Sequence, residues 1–475
     1  MSLALTGQEL QSLDRPALAD KYLTALSVVL LGYAIGGRGF AYLGYQPIYI
    51  GEIMLMSGIA VLLLTGGWEK ILNTTQALMV FPLVFWCALQ TFPYLKIYHM
   101  DALRDAVLWG YGAFAFIAGG LVLAKPERLA RLIKLYRRFA LIFLVVMPLI
   151  MVVKLAFPGF NPRLSDENPF LFSARRGSMM LHLAAIAIFI DAGFSRAHWL
   201  PLAVMPFLFI FSSNRAGMLG FGATLFVAVV LGGLRRISSS VGAVLVIGII
   251  LLAVFGDSIS IPGPRGQRFT GTQIWDKVES ISGESAVPRY GNTIEWRLNW
   301  WKDIFNYTVR GKYFWTGKGF GINLADDDGY QIGSEEALRS PHNGHLTFLA
   351  RAGVPGFALW AALQGVWITS VIRTYWRARH DPQGKTWAAL FLFLTAYWTA
   401  SMVQTAFDVE LEGPMGGIWF WSMFGIGIAA LRIYDTNPQV LGRSPLEVAD
   451  EVKAKRELVM VTPQPVAVRS KLWEE

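Results

Sequence analysis

Hydrophobic runs of membrane-spanning length recur along most of the chain, and each is closed by charged or turn-forming residues. About 20 consecutive apolar residues carry a helix across a bilayer core. Reading the runs between their polar boundaries predicts twelve helices, at 22–38, 48–66, 76–93, 104–124, 139–157, 179–194, 199–212, 215–233, 240–256, 345–372, 386–407 and 416–433. The pattern is that of an all-α polytopic membrane protein. The first 21 residues are polar, so no cleavable signal peptide is expected and the first apolar run would act as its own anchor.

Only one polar interval is long. Residues 257–340 separate the ninth and tenth predicted helices and contain ten Lys/Arg and eleven Asp/Glu. The expected organisation is helices 1–9 within 1–256, the loop at 257–340, helices 10–12 within 341–433, and a charged tail at 434–475. With the N-terminus inside, the short inner loops hold fourteen Lys/Arg and the short outer loops seven. That bias supports an N-in, C-in topology with the large loop outside. KPERLARLIKLYRR then reads as a basic amphipathic stretch on the inner leaflet.

Composition agrees. The chain of 475 residues is 54% hydrophobic and 16% charged, with mean hydropathy +0.43. A soluble domain carries about a quarter charged residues. The single cysteine, Cys87, excludes an intrachain disulfide.

Within the loop, NTIEWRLNWWKDIFNY (292–307) reads as a helix, with Asn292 and Glu295 as a capping box. Trp296, Trp300, Trp301, Ile304 and Phe305 form a stripe, and tryptophan favours the headgroup level. This helix is therefore expected on the membrane surface, with Arg297 beside the bundle. The glycines of FWTGKGFGIN lack the GxGxxG spacing and imply only a close backbone approach. The run Asp326–Asp327–Asp328–Gly329 lacks the alternation of a calcium loop and reads as an acidic turn.

SPHNGHL (340–346) offers Ser340 as N-cap and Pro341 as the first helical residue. His342 and Asn343 then occupy the first turn of the tenth helix, at its outer end. The positive end of the helix dipole disfavours an imidazolium there, and a neutral ring can take a proton from a hydroxyl. His345, one turn on, would orient His342 or pack; Glu335 and Glu336 are the nearest carboxylates for a metal site, which is not expected. Arginines also gather on this side: Arg175 and Arg176 in LFSARRGSMM, Arg215 in FSSNRAGM, Arg297 and Arg339. Arg215 lies between two apolar runs with no acidic neighbour in sequence. An unpaired cation there is costly, and a lipid-linked phosphate or pyrophosphate would balance it.

The arginine of SSNRAG, the EWR helix in a large external loop, the glycine turn and PHNxxL opening a late helix together resemble the O-antigen ligase and polymerase superfamily, nearest to its lipopolysaccharide ligase branch. The resemblance spans about 170–430 and is best at 205–225 and 290–360. It implies transfer of a glycan from undecaprenyl pyrophosphate to a sugar hydroxyl of lipid A–core, at the periplasmic face of a bacterial inner membrane. No nucleotide, metal or other cofactor is implied, and no nucleic-acid partner. On this reading His342 is the general base, Arg215 and Arg297 hold the pyrophosphate, Arg175 and Arg176 assist, and Asn343 and His345 support. Arg351 departs from the acidic residue many relatives carry in LARAGVPG and receives no role. A polymerase of the same superfamily, a protein-glycosylating relative and a lipid-linked glycan transporter are the alternatives.

Overall fold

The computed structural model describes residues 15–157, 159, 160, 162, 174–195, 197, 200, 204, 215–232, 260–262, 268–270, 288–331 and 338–442. Within them the chain runs as α1 (Arg15–Ala41), a small hairpin of β1 (Gly44–Tyr45) and β2 (Ile48–Tyr49), α2 (Ile50–Thr65), α3 (Gly67–Leu72), α4 (Thr75–Thr91) and a short helical connection. Its last piece is α5 (Leu95–Tyr98), then α6 (Met100–Gly110), α7 (Ala113–Ala124), α8 (Glu127–Ala156), α9 (Arg176–Phe189) and α10 (Arg215–Val230). A second hairpin, β3 (Ser260–Pro262) with β4 (Arg268–Thr270), precedes α11 (Pro288–Val309) and α12 (Leu324–Asp327). The chain closes with α13 (Gly344–His380), α14 (Lys385–Phe407) and α15 (Pro414–Thr436).

Eight helical stretches among the described residues are long and apolar enough to cross a membrane, and Ile50–Thr65 and Ala216–Val230 are shorter apolar helices. The protein is an all-α polytopic membrane protein. Ten of the twelve predicted spans fall on these helices; those at 199–212, apart from residues 200 and 204, and at 240–256 lie outside the described residues.

Small residues bring the central helices together. A Cβ on Gly119 of α7 would stand 2.8 Å from the Gly425 carbonyl oxygen of α15, and one on Gly120 would stand 2.9 Å from that of Gly67 in α3. Without a strong hydrophobic force between helices in lipid, such close backbone approach is a main source of packing energy. Large aromatic residues fill the space on either side, with Trp360, Trp367, Trp387 and Trp421 almost wholly buried.

Charged groups collect at the two ends. At one, Arg128 of α8 meets Asp20 of α1 at 2.9 Å, and Arg377 meets Asp435 at 3.0 Å. At the other, the starts of α9, α10, α13 and α15 meet the end of α14, and α11 packs over α13.

Helix α13 is broken at Gly353 (φ +69°, ψ −172°), followed by Pro355. Proline has no N–H for the Arg351 carbonyl. That carbonyl accepts instead from Gly319 N at 3.0 Å, and the Ala350 carbonyl accepts from Lys318 N at 2.7 Å. Val354 N donates to the Phe314 carbonyl at 2.8 Å, and Trp86 Nε1 to the Ala352 carbonyl at 2.8 Å. The helix therefore exchanges hydrogen bonds of its own for bonds to the FWTGKGFGIN turn and to Trp86.

Two residues of the α11 stripe turn inward: Trp300 and Ile304 are fully buried against Leu349, Ala350, Leu324 and Ala325 as the core of a small cap on α13, while Phe305 remains exposed. Trp300 Nε1 donates to Asp328 Oδ2 at 2.6 Å and Trp301 Nε1 to the Pro341 carbonyl at 2.9 Å. An indole buries well wherever its N–H finds an acceptor. The helix also begins at Pro288, which puts Asn292 inside it rather than at its cap.

Candidate functional site

The opening of α13 differs from the predicted one. Asn343 is the N-cap, its side-chain oxygen accepting from Leu346 N at 3.1 Å, and the helix starts at Gly344. Ser340 is instead drawn to Glu412, and the Pro341 carbonyl is taken by Trp301. His342 thus precedes the cap, in the left-handed region at φ +52° that favours glycine. A non-glycine residue held there marks a position fixed by its surroundings. The ring is about a third exposed, at 31%, and Nδ1 faces Asp408 Oδ1 at 3.6 Å.

Asp408 belongs to the short turn between α14 and α15, and the arginines reach the same turn. Arg297 Nη1 donates to the Phe407 carbonyl at 3.2 Å, and Arg175 Nη1 to the Val409 carbonyl at 3.0 Å. The structure therefore brings His342, Arg175 and Arg297 together around residues 407–409. Arg176 begins α9 with its side chain exposed. Arg215 is described only as the first residue of α10. A Cβ on Gly217, two residues on, would lie 3.4 Å from Gly177 Cα, so the starts of α9 and α10 are side by side.

His345 does not touch His342. Its Nδ1 accepts from Trp360 Nε1 at 3.0 Å, which leaves Nε2 as the donor to the Met402 carbonyl at 3.1 Å. The tautomer is fixed and both nitrogens are engaged, so His345 ties α13 to α14 and its support of His342 is indirect.

Three acids in the α14–α15 turn were not singled out from sequence. Burial alone would push the Asp408 carboxyl up; the His342 ring, the Arg175 charge and the Val409 N–H at 2.8 Å more than offset it and hold it below its ordinary range. Burial pushes Glu410 up to about 7, with the Arg175 charge and the Ser178 hydroxyl (2.9 and 3.0 Å from its oxygens) opposing that shift. Glu412 is likewise raised by burial, against hydrogen bonds from Ser340 and Thr347, the latter at 2.7 Å. Each would read as an ordinary loop acid in sequence; only burial between helix ends gives it weight.

A second network underlies the site. Asp105 of α6 accepts from Arg351 Nη1 at 2.9 Å, Arg339 Nη2 at 3.1 Å and Gly321 N at 2.9 Å. Arg351 is 2% exposed and also donates to the Gly319 and Ile322 carbonyls. Gly317, Gly319 and Gly321 all have positive φ, and a Cβ on Gly319 would overlap the Tyr94 ring. The arginine that breaks the expected acidic pattern is thus a structural cation whose charge Asp105 balances. Lys318 pairs with Asp327 and Asp328, so two acids of the acidic run serve an ion pair. Among the described residues, no three His, Cys, Asp or Glu side chains converge to hold a metal ion; Glu335 and Glu336 lie outside them.

Residues 200–361 match the family model described as O-antigen ligase. The match covers less than half of the chain, and this stretch is similar to the O-antigen ligase superfamily. No curated protein matches the chain. That similarity supports a membrane glycosyl-transfer enzyme of the ligase or polymerase kind. The O-antigen ligase match contains Arg215, Arg297, His342 and Arg351, whereas Arg175 and the 407–412 turn lie on either side of it.

Proposed function

We propose that the protein moves a glycan from undecaprenyl pyrophosphate to a sugar hydroxyl of lipid A–core, at the end of the bundle that carries His342. The observation that carries this reading is the meeting of His342, Arg175 and Arg297 on the turn at 407–409.

His342 Nε2 is the general base. With Nδ1 turned towards the Asp408 carboxylate, the imidazole carries its proton on Nδ1 and leaves Nε2 able to accept. The acceptor hydroxyl gives its proton to Nε2 as its oxygen bonds to the anomeric carbon. The bond from that carbon to the pyrophosphate oxygen breaks, the electron pair leaves with undecaprenyl pyrophosphate, and the anomeric configuration inverts. Asp408 then stabilises the imidazolium. Pyrophosphate is already a good leaving group, so charge stabilisation matters more than a strong acid.

The arginines supply that stabilisation. A guanidinium has five N–H donors in a planar fork, so the bond from Arg175 to Val409 leaves donors for a phosphate. Glu410 stands beside Arg175, and its raised titration leaves it only partly charged at neutral pH, so it neutralises less of the Arg175 cation that an anionic ligand would meet. Arg297, and Arg215 and Arg176 at the paired helix starts, complete the cationic rim in this reading.

The deciding experiment supplies purified protein with carrier-linked glycan and either lipid A–core or no acceptor. Product on lipid A–core is expected. Longer carrier-linked chains would make the protein a polymerase, and no product in either arm would overturn the transfer chemistry.

A further inference from the structure

His342 keeps a left-handed backbone, φ +52°, that a non-glycine residue abandons when its neighbours are free to move. Its ring faces Asp408 at 3.6 Å, too long for a strong hydrogen bond, so that contact does not fix the backbone by itself. The restraint has to act on the chain at either side of the ring.

Two residues before His342, the buried Ser340 donates its hydroxyl to Glu412. Five residues after it, the buried Thr347 donates its hydroxyl to Glu412 Oε1 at 2.7 Å. Thr347 N also donates to the Asn343 carbonyl at 2.9 Å, so this second arm reaches back to the residue next to His342. One carboxyl group therefore spans the strained residue. A carboxyl suits this task because its two oxygens have lone pairs for several donors at once. Gly344 adds to the restraint: a Cβ there would stand 2.7 Å from Thr405 Cγ2, so the start of α13 is pressed against α14. Glu412 is itself tied into the turn that Arg175 reaches. Its N–H donates to the Val409 carbonyl at 3.2 Å, and the same carbonyl accepts from Arg175.

We propose that Glu412 is a positioning residue, clamping residues 340–347 so that the His342 ring is presented between Asp408 and the acceptor hydroxyl. The inference rests on the reading of His342 as the base and adds the residue that holds it there. Glu412 acts through the backbone. It fixes where Nε2 points, whereas Asp408 fixes which nitrogen carries the proton.

The test has two readouts on the purified full-length protein. The first is the rate at which diethyl pyrocarbonate modifies His342, measured by peptide mass spectrometry, and it needs no glycan transfer. Glu412→Ala should raise that rate several-fold by releasing the ring. The exposed His99 should react at the parent's rate in every variant, which separates loss of the clamp from general unfolding. The second readout is steady-state transfer. Glu412→Ala should lower kcat by roughly 10- to 100-fold, the effect of a misplaced reacting group, with both KM values near the parent's. Glu412→Gln should recover most of both losses, because its amide oxygen accepts from one hydroxyl while its NH2 donates to the other. Ser340→Ala removes one arm and leaves the carboxyl in place, so it keeps the test open should Glu412→Ala fail to fold. It should shift both readouts the same way by less. Unchanged modification of His342 in these two alanine variants would overturn the clamp. A kcat loss in Glu412→Gln equal to that in Glu412→Ala would also overturn it, by assigning the effect to charge. No transfer by the parent would overturn the base reading instead, and the modification rates would still decide whether Glu412 holds the ring.

Discussion

His342 Nδ1 stands 3.6 Å from Asp408 Oδ1, and the pair bridges the start of α13 and the end of α14. Asp408 also accepts from Val409 N at 2.8 Å and Gln404 Nε2 at 3.3 Å, so its carboxylate is held in place before any substrate arrives. Its effect on catalysis passes through the histidine. His342→Ala should lower transfer by about 10²–10⁴-fold, the usual contribution of a positioned general base. Asp408→Asn should give a smaller loss, and the double variant should be no slower than His342→Ala alone. Additive losses in steady-state rates would show that Asp408 acts independently of the ring.

Arg175→Lys should raise the KM for the carrier-linked donor by roughly tenfold while kcat changes less, because an ammonium cannot span a phosphate as a planar fork does. The acceptor KM should stay near that of the unaltered protein. A selective rise in acceptor KM would move Arg175 away from the donor pyrophosphate.

Glu410 makes stability depend on pH. Its folded-state value of about 7 lies above the ordinary 4.5, so the folded protein binds more protons than the unfolded one between these limits. Stability should therefore fall as pH rises through this window and level off above it. Glu410→Gln removes the penalty of charging a buried carboxyl, by about 3 kcal/mol at most. Thermal unfolding in detergent should show the variant more stable at pH 8 and similar at pH 5. A variant less stable than the parent at pH 8 would show that the Glu410 charge is needed by the fold.

Gly317 and Gly319 should respond differently to alanine. Both have positive φ, but a Cβ on Gly317 meets the backbone of Arg351, while one on Gly319 meets the Tyr94 ring. A side chain can move aside and a helix backbone cannot. Gly317→Ala should be the more destabilising, and Tyr94→Ala should relieve part of the cost of Gly319→Ala. Thermal shifts of the three variants and the double variant test this; no relief from Tyr94→Ala would leave φ strain as the whole cause.

The helices were readable because an apolar run of membrane-spanning length is rare in a chain that folds in water. His342, Arg175 and Arg297 were readable because a base and misplaced cations stand out against such a chain. The partners were not. Asp105 and Arg351 lie far apart in sequence, and nothing local to either indicates a pair. The Ser340–Pro341 start failed because Glu412 and Trp301, both distant in sequence, take the groups that a cap would have used. The inward packing of Trp300 was hidden for the same reason: Asp328, which takes its indole N–H, lies 28 residues away in sequence.

The break at Gly353 also affects how the molecule can open. Lifting the FWTGKGFGIN turn from α13 would strand the Ala350 and Arg351 carbonyls together and take the Gly321 N–H from Asp105. Half-detached states are therefore disfavoured, and the turn and the first half of α13 behave as one latch, either closed or released. Amide exchange at Lys318, Gly319, Gly321 and Val354 should accordingly slow and quicken in concert.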